Sequence, residues 1–283
     1  MTLTNSSILK GRVALITGAN TGIGQVTARQ LCAMGAHVFV ACRNGLSGQA
    51  AVEGIRSSVA GAQIELLALD LGDLQSVRAC AKAFLDRNLP LHLLINNAGL
   101  AGAKGLTASG FELAFGTNHI GHFLLTQLLL ERIKQSAPAR IVTVSSRAHQ
   151  RASGLDWAAL RQTTASRLGM VEYSNSKLAN ALFSAELARK LGGSGVSTYS
   201  LHPGVVATDV WREVPWPFRS LMKLGMISVE QGAATTLYCV TAAECAGETG
   251  LYYDKCRIKT PSAMAQDKLL AAELWRRSVE WTQ

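Results

Sequence analysis

Short, β-branched apolar runs alternate along this chain with longer stretches in which apolar residues recur every three or four positions. The first pattern marks strands and the second marks amphipathic helices. RVALIT at residues 12–17 predicts a strand, the glycines of GANTGIG a tight turn, and QVTARQLCAM a helix. The pattern then returns: HVFVAC precedes a helix from about Leu46, IELLAL a helix opened by Asp73, and LHLLIN a long helix around Phe111 to Lys134. RIVTVSS, a helix carrying YSNSK, the strand VSTYSLH and a last short strand near GLYYD complete the series. Strands that alternate with helices build a parallel sheet covered on both faces and wound right-handed. The expected fold class is α/β, a doubly wound, Rossmann-like parallel sheet. No linker, repeat or low-complexity segment divides the chain, so a single domain over residues 1–283 is expected, with residues 1–10 as a polar extension. Such sheets bind ligands at the carboxyl ends of their strands, near the switch point.

Composition narrows the classes. Hydrophobic residues make up 48% and charged residues 17%, which suits strands buried on both faces. MTLTNSSILKGR is polar and reads as no signal peptide, and no apolar run reaches the roughly 18 residues of a membrane span. A cytoplasmic protein without a transmembrane segment is therefore expected. The formal charge is +9, but the basic residues are dispersed rather than gathered in one block, so nucleic acid is not expected and an anionic small ligand is. Cys32, Cys42, Cys80, Cys239, Cys245 and Cys256 form no C-x-x-C pair, so neither disulfide nor metal site is expected. His119 and His122 share a helix face, yet no third ligand accompanies them; they and the isolated His149 and His202 read as structural.

Candidate chemistry begins at the first turn. Gly18, Asn20, Thr21, Gly22, Ile23 and Gly24 end a strand and open a helix, where glycines let the backbone approach a pyrophosphate and unpaired N–H groups face it. The spacing G-x-x-x-G-x-G differs from the common G-x-G-x-x-G fingerprint, and a purely structural turn is the competing reading. Enzymes using NAD place an acid about 20 residues further on to hold the ribose hydroxyls. Here the chain reads Ala41-Cys42-Arg43-Asn44, with no acid, and the Arg43 guanidinium suits a 2′-phosphate unless it only solubilises a loop. The expected cofactor is NADP(H), in preference to NAD(H).

TGANTGIG, NNAG, the SS pair after the fifth strand, YSNSK and HPGVVAT occur in one order over nearly the whole chain. Together they resemble the short-chain dehydrogenase/reductase family. LITGAN, NHIGHFLLT, YSNSKLANALFSAEL and EQGAATTLYC look most like its retinol dehydrogenase and WW-domain oxidoreductase group. The resemblance implies a catalytic set of Asn118, Ser146, Tyr173 and Lys177, with Ser145 as the weaker candidate for the serine. It implies Asp70, Asn97, Ala98 and Gly99 on the adenosine side of the cofactor, Leu71 as a further cofactor contact, and Pro203, Gly204, Val206 and Thr208 at the nicotinamide carboxamide. A homodimer or homotetramer is implied as well, whereas the leucines of GHFLLTQLLLERI read as core or subunit interface.

Physical chemistry supports the central pair. Tyr173 and Lys177 stand four residues apart and share a helix face. A phenol with its usual pKa near 10 exchanges protons poorly at neutral pH, and a neighbouring ammonium is expected to lower that value. Lys177 would also hold the nicotinamide ribose. Tyr173 is then the general acid of carbonyl reduction, Ser146 a donor to the substrate oxygen, and Asn118 the holder of a water that relays protons from Lys177.

The function expected is hydride transfer between NADP(H) and a carbonyl or alcohol, with an apolar aldehyde, ketone or retinoid-like substrate. A non-catalytic NADP(H)-binding redox sensor or scaffold and a sugar-nucleotide epimerase or dehydratase are the alternatives. Residues 209–227 read as a lid over the substrate, with Trp211 and Trp216 supplying apolar contact beside Ser146; packing of these aromatics in the core is the competing reading.

Overall fold

The computed structural model describes residues 8–206 and 226–283. Thr208, Trp211, Trp216 and residues 209–225 of the expected lid lie outside the described residues, as do residues 1–7.

Every strand expected from the apolar runs forms. In chain order they are β1 (Val13–Thr17), β2 (His37–Cys42), β3 (Ile64–Ala68), β4 (Leu93–Asn96), β5 (Ala139–Val144), β6 (Val196–His202) and β7 (Leu251–Asp254). A two-residue strand, β8 (Arg257–Ile258), follows β7 and was too short to show in the pattern. They make one sheet in the order β3-β2-β1-β4-β5-β6-β7-β8, parallel throughout except for the antiparallel pair β7–β8. The order reverses between β1 and β4, so their carboxyl ends, Thr17 and Asn96, flank the switch point.

Helices fill the connections: α1 (Gly22–Ala33), α2 (Gly45–Ser58), α3 (Leu74–Leu85), the short α4 (Leu113–Phe115), α5 (Gly121–Gln135), α6 (Met170–Lys190), α7 (Val229–Thr241) and α8 (Lys268–Trp281). Their starts follow capping chemistry. Asn44 accepts from the Ser47 N–H and Asp73 from the Gln75 N–H, and Ser228 with Gln231 forms a capping box. The helix expected around Phe111 to Lys134 is not continuous, since a π-turn at Gly116–Ile120 separates α4 from α5. The expectation of one regular helix there is corrected: the turn carries Asn118, and π-turns mark sites where backbone bonding is diverted.

Alternate residues of the strands enter opposite layers. Ala14, Ile16, Val38, Val40, Ile95, Val142, Tyr199 and Leu201 pack with residues of α1, α2 and α7 on one face. Leu15, Phe39, Leu67, Leu94 and Ile141 pack on the other with residues of α3, α5 and α6. Burial of each large side chain contributes about 1.5–3 kcal/mol. The leucine-rich α5 belongs to this second layer, with Phe123, Leu124, Leu125, Leu129 and Ile133 buried in it. Helix α8, which the sequence pattern did not single out, closes a third cluster: Leu274 and Trp281 pack with Phe111, Phe115, Leu178 and Leu182.

Candidate active site

The first turn is held close to the fourth. Gly18 takes φ 66°, in the left-handed region, and a side-chain carbon there would stand 2.9 Å from the Ala98 Cα. A carbon on Gly24 would stand 2.6 Å from the Gly18 carbonyl oxygen, so glycine is needed for packing as well. Thr21, which caps α1, makes no side-chain capping bond, and the first turn of the helix holds no acid. The helix N-terminus therefore presents its N–H groups and positive end to the adjoining cavity.

Thr17 ties the two turns together. Its hydroxyl oxygen accepts from the backbone N–H groups of Asn97 and Ala98, both at 3.0 Å, while Asn97 Nδ2 donates to the Thr17 carbonyl at 2.8 Å. His122 Nε2 lies 2.8 Å from the same hydroxyl, and His122 Nδ1 lies 2.9 Å from the Asn118 carbonyl. A carbonyl only accepts, so Nδ1 carries the hydrogen; burial pushes the imidazole pKa down to about 4, which leaves Nε2 to accept from Thr17. One buried ring thus joins the glycine turn, the NNAG turn and the π-turn.

Asn118 lies behind the cavity wall, fully buried. Its Oδ1 accepts from the Leu100 N–H at 2.9 Å, and its Nδ2 donates to the Leu100 carbonyl at 3.0 Å and to Ser176 Oγ at 2.9 Å. Both amide hydrogens are therefore used in fastening the Gly99-Leu100 turn to α6. That bracing was not foreseen from the sequence.

Tyr173 and Lys177 reach the cavity from the first turns of α6 and are both buried. Lys177 Nζ donates to the Val144 carbonyl at 2.9 Å and sits 5.7 Å from the centre of the Tyr173 ring. Burial pushes the Lys177 pKa down to about 8. The Tyr173 phenol is pushed above its ordinary value by burial, against a Ser146 hydrogen bond that lowers it. The expected lowering of the phenol by its neighbour is therefore corrected: in this protein's own surroundings desolvation of the phenolate wins. The two serines separate cleanly. Ser145 Oγ donates to the Lys177 carbonyl at 2.7 Å, so it holds the helix, whereas Ser146 pairs with the phenol and its Oγ accepts from the Ala148 N–H at 3.1 Å.

A cavity of about 870 Å³ joins these parts. Its wall contains Gly18, Asn20, Thr21, Gly22, Ile23, Gly24, Arg43, Asp70, Leu71, Asn97, Ala98 and Gly99 on one side. Ser146, Tyr173, Lys177, Pro203, Gly204 and Val206 stand on the other, so among the described candidates only Asn118 is set back. A family profile described as short chain dehydrogenase matches residues 12–216, which carry all of this wall. The chain belongs to the short-chain dehydrogenase family. It is 43% identical over 279 residues to retinol dehydrogenase 12 of Mus musculus, covering 96% of this chain and 86% of that protein. It is 42% identical over 280 residues to the WW domain-containing oxidoreductase of Gallus gallus, covering 95% of this chain and 68% of that one. Among solved structures, an uncharacterized protein from Mycobacterium paratuberculosis superposes with a TM-score of 0.79 at 34% identity, over 98% of this chain and 96% of that chain. The Pseudomonas aeruginosa RhlG/NADP active-site complex superposes with a TM-score of 0.69 at 26% identity, over 88% and 96%.

For a short-chain dehydrogenase the sequence reading left several wall residues unassigned. Ser47 sits beside Arg43 and Asn44, and its Oγ accepts from Asn20 Nδ2 at 3.0 Å, a link that its place three residues after the cap Asn44 could have suggested. Met170, Arg147, Gln150 and Arg151 line the catalytic end. His202, read as structural, also lines it; the ring is 3% exposed, and neither nitrogen has a hydrogen-bond partner among the described residues. Its place at the last residue of β6, the carboxyl edge of the sheet, was the available signal. Among the described residues no group of three or more metal-ligating side chains occurs, and no helix is long and apolar enough to cross a membrane.

Proposed function

We propose that this protein is an NADP(H)-dependent oxidoreductase that interconverts an apolar carbonyl compound and its alcohol. The observation that carries the reading is the meeting of the Tyr173 phenol, its Ser146 hydrogen-bond partner and the buried Lys177 ammonium at one end of a cavity whose other end is a helix N-terminus. The cavity wall fits a dinucleotide: the α1 N–H groups suit a pyrophosphate, and the exposed Arg43, with no acid beside it, suits a 2′-phosphate. The related RhlG, in its complex, binds NADP. A carbon on Gly99 would stand 3.3 Å from Lys177 Nζ, so the glycine keeps the ammonium open toward the ribose.

When bound, the nicotinamide supplies or accepts the hydride. The chain's residues handle the proton. Ser146 Oγ donates to the substrate oxygen and keeps it within reach of the Tyr173 hydroxyl. In reduction Tyr173 gives its proton to that oxygen; its raised pKa keeps it protonated at neutral pH, as a general acid must be. The Lys177 ammonium stabilises the phenolate left behind and, with a pKa near 8, passes it a replacement proton readily. Oxidation reverses each step. Asn118 acts by bracing the Leu100 turn against α6.

The test is a panel of aldehydes, ketones and alcohols followed by absorbance of the reduced nicotinamide, with Tyr173→Phe alongside. Turnover should favour apolar compounds, and Tyr173→Phe should lower kcat by about 10²–10⁴-fold while cofactor affinity holds. Near-normal turnover in a folded Tyr173→Phe protein would overturn the assigned role. We extend the reading to a single domain acting in the cytoplasm.

A further inference from the structure

Beside the catalytic end of the cavity runs a second groove. Arg147 and Gln150 line both, so the two spaces share a wall. Lys255, Arg257, Lys259 and the apolar Ile258 line most of the rest, and the three cationic side chains are exposed, as is Arg147. One acid enters this wall: Asp254, whose Oδ2 lies 3.7 Å from Arg147 Nε. Four cations therefore face one carboxylate, and that carboxylate is only 14% exposed beneath the guanidinium.

The backbone holds the cations there. Asp254 pairs with Arg257 across the β7–β8 hairpin, and the Lys259 N–H donates to the Tyr252 carbonyl at 2.8 Å. The turn between the strands places Lys255 at φ 53° and Cys256 at φ 57°, left-handed values that a tight hairpin normally assigns to Asn and Gly. A lysine is thus held in a costly conformation at the groove. His202 is buried in the wall of the main cavity, without a hydrogen-bond partner among the described residues. Its register partner across β6–β7 is Asp254. Lys255, Arg257 and Lys259 line the groove and not the main cavity, whose wall holds the α1 N-terminus and Arg43, so these three are not needed for the phosphates of a dinucleotide.

We propose that this groove is an anion subsite for the far end of the substrate, so that the preferred compound carries its carbonyl at one end and a carboxylate or phosphate at the other. The proposal rests on the carbonyl-reductase reading of the main cavity. An apolar chain then spans the cavity, and Arg257 and Lys259 hold the anionic end by charge-assisted hydrogen bonds. Screening applies, because the side chains are exposed, and the preference shrinks as salt rises.

The test uses the full chain with NADPH and ω-oxo carboxylic acids of increasing length, each against its neutral primary amide. At the length that spans both spaces, kcat/KM for the acid should exceed that for the amide by about tenfold, and the excess should fall at high salt. The double variant Arg257→Gln and Lys259→Gln should erase the excess and leave the amide unchanged. Phosphate-terminated aldehydes distinguish a phosphate site from a carboxylate site. Equal rates for acid and amide at every length, or an excess that survives the double variant, would overturn the subsite. If no aldehyde reacts at all, the carbonyl-reductase reading fails, and the subsite is judged by calorimetry instead. Tighter binding of the acids than of the amides to the NADP-loaded protein, lost in the double variant, supports it; equal binding overturns it.

Discussion

The two sides of the cavity are built from different materials. The side formed by the β1 and β4 turns is mostly backbone, glycines and helix N–H groups, with Arg43 reaching in from solvent. The side formed by α6 and the β5 turn is made of buried side chains whose protonation is set by desolvation, with Lys177 pushed down to about 8 and the Tyr173 phenol pushed up. Affinity for a large charged ligand needs many donors at close range, which backbone supplies without side-chain entropy. Proton transfer needs a group whose pKa has been moved, and burial moves it. One side is accordingly sensitive to added atoms, the other to pH.

The largest expected effect tests burial itself, at His202 in the cavity wall and at His119 and His122 behind it. Burial holds His119 near pKa 3 and both His122 and His202 near 4, below the usual 6.5. A depressed histidine stays neutral in the fold while the unfolded chain takes up its proton below about 6.5. Its stabilising contribution is present above that value and is lost as pH falls toward 4, by about 3 kcal/mol for each ring. Denaturant unfolding at stepped pH should show stability dropping by several kcal/mol from pH 7 to 4.5, with a shallower slope in His202→Gln. A flat profile would deny that burial sets the protonation of these rings.

A smaller effect is expected at the glycine turn. Gly24→Ala adds one carbon that meets the Gly18 carbonyl oxygen at 2.6 Å and the Ala19 Cα at 2.9 Å. Backbone must shift, at a cost of about 1–3 kcal/mol, and the α1 N–H groups that face the cavity shift with it. Thermal unfolding and a cofactor titration should both report the change. Unchanged cofactor affinity would show that this turn serves packing only. The smallest effect is at Arg43: Arg43→Ala should lower the preference for NADPH over NADH by about tenfold and leave stability within about 0.5 kcal/mol. Equal weakening of both cofactors would make the backbone the whole of that side.

How legible each side was follows from the same contrast. The glycine turn, NNAG and Tyr173/Lys177 stood out in the chain because glycines and a four-residue helical spacing are local features. The strands were plain as well, since buried parallel strands leave continuous apolar runs. The break at Gly116–Ile120 was not visible, and neither was the bracing role of Asn118, which depends on Leu100 and Ser176, distant in sequence. Nor was the short β8, whose two residues carry no period of their own.

By itself the sequence determined the alternation of strands and helices and the glycine-rich turn that follows β1; both are set by neighbours within a few residues, whereas the switch point between β1 and β4 came from the sheet order. Only the tertiary structure decided the protonation of the site and its charged surroundings. It distinguished Ser146 from Ser145, which differ in sequence by one position but point to different partners. It set the Tyr173 and Lys177 pKa values against the direction expected for the phenol, and it brought Arg147 beside the Lys255–Lys259 hairpin. Desolvation and charge proximity depend on what surrounds a group in three dimensions, and a linear pattern carries no measure of either.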